Sequence, residues 1–131
     1  MASIEIPLYE KGSDVFYLSG SIDGLGETEF LLDTGAGYSA ISDKSLRILE
    51  QKTDVRYLRS LNSRLANGWV SKVEIYSIGR VEIGQECVLN NVEVAVVPGL
   101  SRNILGLNAL RQMGHFSISF SPLALTVGRC Q

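Results

Sequence analysis

The segment Phe30-Leu31-Leu32-Asp33-Thr34-Gly35-Ala36-Gly37-Tyr38-Ser39-Ala40-Ile41 carries the clearest chemical signal in this sequence. An acid follows three large apolar residues and precedes a glycine-rich bend, so it leaves a buried strand for a tight loop where its solvation is limited. Its ionisation must be managed by what surrounds it, which is the setting for acid-base work. The same residues also suit a plain turn in which Asp33 bonds its own loop amides. Asp14, Asp23, Asp43 and Asp54 lack the apolar lead-in followed by Thr/Ser-Gly.

Other reactive side chains are few. Cys87 and Cys130 are too few for a disulfide framework and have no metal-ligand spacing, so they read as buried or incidental free thiols. His115, between Gly114 and Phe116, reads as structural, because a zinc site or a Cys-His pair needs more partners. No metal or other cofactor is expected. Twelve Lys+Arg against fourteen Asp+Glu give a net charge of −2, too weak a field to hold a phosphate backbone, so nucleic acid is not an expected partner. Nothing approaches the ~18 apolar residues of a membrane helix. No basic stretch followed by an apolar block opens the chain, and a soluble chain, or a soluble piece of a longer one, is expected.

At 131 residues, with 45% hydrophobic and 20% charged residues, the sequence predicts one domain over 1–131 with a real core. Its patterning has period 2 more than 3.6. Ile4, Ile6 and Leu8 alternate with Glu5 and Pro7, the proline pointing to an edge strand. Asp14 to Ile22 and Thr28 to Leu32 form a hairpin around Asp23-Gly24-Leu25-Gly26. Asp43 to Gln51 is a short helix capped by Ser42 or Asp43. From Val55 to Val97 strands follow one another, with breaks at Asn67-Gly68, Gly79, Gly84 and Asn90-Asn91, the 79-to-84 interval fitting either a hairpin or a strand interrupted by a bulge. Leu107, Leu110 and Met113, three apart and closed by Gly114, predict a second short helix; Phe116 to Phe120 and Leu123 to Val127 then alternate around Ser121-Pro122. The fold class is all-β, a small β-barrel or sandwich with one or two short helices.

Three stretches in order resemble one family. Phe30 to Ala36 is similar to the active-site segment of aspartic proteases, Leu65-Ala66-Asn67-Gly68-Trp69-Val70 to the flap hairpin of bacterial retropepsin-like enzymes, and Ser101 to Gly106 to the second half of the retroviral-type pattern. The chain is identified by this resemblance, from about Tyr17 to Val127, as a single-domain retropepsin-like aspartic protease. The resemblance implies a closed or nearly closed barrel, with Asp33, Thr34 and Gly35 catalytic and Ala36, Asn67, Gly68 and Trp69 touching substrate. Asn67-Gly68 also suits a plain hairpin turn, and Trp69 a core or dimer contact.

Peptide hydrolysis in this class needs two carboxylates about one water; within ~3 Å of each other they share one proton and titrate as a unit. One Asp-Thr-Gly per chain therefore implies a C2 homodimer acting on a peptide or protein substrate, with an acidic to weakly acidic optimum. In retroviral-type enzymes the termini of both subunits interleave, and Ser3 to Leu8 and Leu123 to Val127 are the matching candidates here; the same segments also suit an ordinary barrel edge. One departure concerns Arg102. Retroviral enzymes pair such an arginine with an acid just after Asp-Thr-Gly-Ala, where this chain has Gly37, Tyr38 and Ser39. The N-terminal anchor common in bacterial relatives is not recognised in this sequence, which fits either a soluble protein or part of a longer one; the cytoplasm is favoured, with the periplasm allowed for a longer precursor. The alternative function is a retropepsin-like dimerisation or peptide-binding module with weak or no hydrolysis.

Overall fold

The computed structural model describes residues 3–12, 15–64 and 67–130. In chain order the elements are β1 (Ile4–Pro7), β2 (Tyr9–Glu10), β3 (Phe16–Ile22), β4 (Gly26–Leu32), β5 (Ser39–Ser42), α1 (Asp43–Lys52), β6 (Arg56–Arg64), β7 (Val70–Ile83), β8 (Cys87–Val97), β9 (Asn103–Leu105), α2 (Leu107–Gln112), β10 (Phe116–Phe120) and β11 (Leu123–Val127).

A ring closes because β3 pairs with both β4 and β7. The order β3-β4-β9-β5-β8-β7 returns to β3, with β2 and β6 attached outside it. The expected all-β class is therefore a closed barrel with two short helices. A second, three-stranded sheet runs β1-β11-β10. Here the expectation for the ends of the chain changes. Ile4–Pro7 pairs antiparallel with Ala124–Val127 of the same chain, and β11 is flanked on its other side by β10, so both edges of β11 are filled from within.

Local signals explain most elements. Ser42 Oγ accepts the Ser45 N–H at 3.0 Å, capping α1, which buries Leu46 and Leu49. The β3–β4 hairpin starts at Phe16; Asp14 lies outside the described residues. Two predicted breaks do not occur: β7 runs through Gly79 and β8 through Asn90-Asn91. The two signals face each other, since Ile78 pairs with Val92 and Arg80 with Asn90, and Asn91 takes a positive φ of 54° without ending its strand. Long-range pairing overrides the local turn propensity.

The main core gathers Leu18, Ile22, Ile83, Leu89, Leu105 and Leu110 with α1 and the β11 face. Burying each such side chain stabilises the fold by ~1.5–3 kcal/mol. A smaller cluster of Ala40, Ile75 and Ala95, with Leu58, Val97 and Ile104 against it, sits under the β6–β7 hairpin. The reading of free thiols is corrected: Cys87, at the start of β8, is disulfide-bonded to Cys130, 43 positions later. The pairing was invisible locally because the fold, rather than spacing, brings the end of the chain beside the β7–β8 turn.

Candidate active site

Asp33 stands one residue beyond β4, whose parallel partner β9 aligns Leu32 with Leu105. Its N–H donates to the Leu105 carbonyl at 3.0 Å, so the ladder continues one step into the loop. The Gly35 N–H then donates to Asp33 Oδ1 at 3.0 Å, and the Ala36 N–H to the Asp33 carbonyl at 3.2 Å. The acid is half-buried, while Thr34 and Gly35 are exposed. The loop amide bond foreseen for a turn aspartate is present, and it leaves Oδ2 for other chemistry.

The rest of the loop is stitched to the entry of α2. Leu107 donates its N–H to the Ala36 carbonyl at 2.8 Å, and Asn108 to the Gly37 carbonyl at 3.1 Å. Buried Ser39 donates its N–H and its hydroxyl to Asn108 Oδ1, at 2.8 and 2.9 Å, and its Oγ accepts the Gly106 N–H at 3.0 Å. Asn108 Nδ2 in turn donates to the Glu93 carbonyl at 2.6 Å. Gly106 lies so close that a Cβ there would meet Tyr38 O at 2.5 Å and Ala36 O at 2.8 Å. Asp33, Gly35 and Ala36 are thus held against Ile104-Leu105-Gly106, the two stretches that sequence alone set apart. Ser39 and Asn108 were not foreseen as supports. A single polar residue beside the Leu107, Leu110, Met113 stripe is a weak signal when its partner is 69 positions away.

Arg102 finds a phenol in place of an acid. Its Nη1 donates to Tyr17 OH, and its guanidinium lies 5.8 Å from the centroid of that buried ring. Farther along the loop, Tyr38 OH accepts from Arg59 Nη2 at 2.6 Å, and Arg59 also meets Glu93 Oε1 at 2.6 Å; the tyrosine and then the carboxylate push the guanidinium pKa up.

Asn67, Gly68 and Trp69 occupy the far end of the β6–β7 hairpin, on a different element from Asp33. Asn67 Oδ1 accepts the Trp69 N–H at 3.0 Å, and Gly68 has a φ of +88° that suits glycine. Trp69 is 72% exposed, so the core contact left open for it is not made within one chain. Leu65 and Ala66, the other part of that flap-like stretch, lie outside the described residues. Among the described residues no three His, Cys, Asp or Glu side chains are grouped to hold a metal ion, and no helix is long and apolar enough to cross a membrane.

Residues 18–112 match the family described as "gag-polyprotein putative aspartyl protease". The chain belongs to the retropepsin-like aspartic proteases. Its fold is similar to that in the crystal structure of a retropepsin-like aspartic protease from Rickettsia conorii, with a TM-score of 0.68 and 21% identity over 98% of this chain and 91% of that one. No curated protein matches the sequence. The retropepsin-like assignment spans both halves of the site, from β3 through the Asp33 loop to α2.

Proposed function

We propose that the protein is a homodimeric aspartic endopeptidase in which two Asp33 side chains, one from each subunit, activate a water between them. The observation that carries this reading is the Asp33 loop itself, a half-buried carboxylate braced by Leu105, Gly35 and the α2 entry, followed by exposed Thr34 and Gly35. One chain holds half of the required pair, and a two-fold axis supplies the other half.

In the reaction one Asp33 carboxylate takes a proton from water as the water oxygen bonds to the peptide carbonyl carbon. The other, protonated, gives its proton to the carbonyl oxygen. Collapse of that tetrahedral species breaks the C–N bond: the departing amine takes a proton from the first Asp33 while one hydroxyl of the diol returns its proton to the second, so the carboxylic acid forms and the pair keeps one shared proton. Thr34 bonds across the axis to the opposite loop, and Gly35 lets the chains approach closely. Ala36 contacts the substrate backbone, and the hairpin ends bearing Asn67, Gly68 and Trp69 close over the peptide as flaps, excluding water. The exposure of Trp69 supports that role.

The test is Asp33→Asn. It keeps the Oδ1 acceptor for the Gly35 N–H but cannot share the proton, so peptide-library cleavage read by mass spectrometry from about pH 3 to 7 should fall to background, with the wild-type optimum on the acidic side. Cleavage by the variant at the wild-type rate sinks the proposal. Peptide binding without cleavage by the wild-type protein points instead to a binding module.

A further inference from the structure

β6 lies outside the closed ring, with β7 as its strand partner among the described residues. Within that pair the register slips. Tyr57 stands opposite Tyr76 and Arg59, two positions on, opposite Ile75, so β6 bulges at Leu58. Regular alternation would keep Arg59 on the face of Tyr57 and Tyr76. The slip instead puts it with Leu61, Val73 and Ile75 on the underside of the hairpin, where Leu58 and Tyr38 pack on the Ala40, Ile75 and Ala95 cluster.

Three separate segments meet at this guanidinium. It comes from β6, the hydroxyl it reaches belongs to Tyr38 in the Asp33 loop, and the carboxylate belongs to Glu93 on β8, each at 2.6 Å. The guanidinium carbon also lies 5.7 Å from the centroid of the Tyr38 ring. The other side-chain hydrogen bonds of β6 among the described residues, Tyr57 OH with Ser60 Oγ and Ser60 Oγ with Glu74, stay inside the hairpin. Stability is not what this junction chiefly provides, because the Arg59 and Glu93 side chains are 42% and 40% exposed and ion pairs so wet contribute little. What it fixes is a distance. Tyr38 is already held from behind, its carbonyl and that of Ala36 lying against Gly106, so its ring is a firm anchor for a side chain reaching down from the hairpin.

We propose that Arg59 is a positioning residue. By joining Tyr38 to Glu93 it sets how closely the β6–β7 hairpin sits to the Asp33 loop, and so how firmly a peptide between them is held. This rests on the peptidase reading above. Asp33 keeps its bonds to Leu105 and Gly35 whether or not the guanidinium is present, so its loss is felt in substrate capture rather than in the chemical step.

Arg59→Met keeps the apolar stem and removes the charged head. Its KM should rise about tenfold while kcat stays within about twofold of the wild type, and the urea midpoint should barely move. Tyr38→Phe, which lacks only the accepting hydroxyl, should also raise KM, and the double variant should raise it no further than Arg59→Met alone. Trp69, the single tryptophan, reports on the hairpin without reference to catalysis: its fluorescence anisotropy should decay faster in Arg59→Met. Unchanged KM and anisotropy, additive effects in the double variant, or a drop in kcat at constant KM, as loss of folded protein would give, each overturns the role of Arg59 and leaves the peptidase reading standing. A wild-type protein that cleaves no peptide overturns both.

Discussion

Gly106 is the residue whose side chain matters most by its absence. A methyl group there would press on two backbone carbonyls of the Asp33 loop, Tyr38 O and Ala36 O, and neither can swing aside as a flexible side chain would. Gly106→Ala should cost ~1–3 kcal/mol or more in urea unfolding and weaken cleavage by displacing Ala36. Gly79→Ala, where an added Cβ meets nothing within 4 Å, should leave both nearly unchanged. Equal effects at the two positions would show that close packing around Gly106 is not what fixes the loop. At this scale the acid was legible, since an apolar run into Asp-Thr-Gly is contiguous in sequence. Its supports were not, because Ser39 with Asn108, and Tyr17 with Arg102, meet only after the barrel forms.

Elements with local causes were equally legible. Ser42 begins α1, the Asp23 to Leu25 turn joins β3 to β4, and Gly114, with a φ of +71°, follows α2. Ring closure and the cystine depend on pairings between distant segments and left no local trace. The Cys87–Cys130 bond fastens the segment after β11 to the start of β8 and closes a long loop. Cross-links over such separations typically stabilise by about 2–4 kcal/mol. Cys130→Ser should lower the urea midpoint accordingly, and a reductant should bring the wild type down to the same value while leaving the variant unmoved. A wild type indifferent to reductant would argue that the bond contributes nothing to stability.

Across the whole molecule, several half-buried carboxylates are held below their usual range. Glu29 is lowered by hydrogen bonds from Lys11 and then Tyr9, Asp43 chiefly by the Gly99 N–H, and Glu74 chiefly by the Ser60 hydroxyl. A carboxyl group whose pKa is lower in the folded than in the unfolded chain contributes stability above its ordinary value, and that contribution is lost as pH falls through the lowered one. The thermal midpoint should therefore decline as pH drops below about 4, modestly because these groups are solvated. Glu29→Gln should shrink that decline, and an identical slope in the variant would remove Glu29 from the explanation. An enzyme with an acidic optimum would then work close to the limit of its own fold.

The longest strand adds a mechanical constraint. β7 is gripped at its C-terminal end by β3 and β8, yet from Val70 to Val73 its only strand partner among the described residues is β6. It is a cantilever with its root set in the barrel wall and Trp69 just beyond its free end. A two-stranded ribbon has little stiffness of its own, so its resting direction is inherited from the root. Substitutions near Glu74, where β8 lets go, would steer the overhang more than substitutions at its tip.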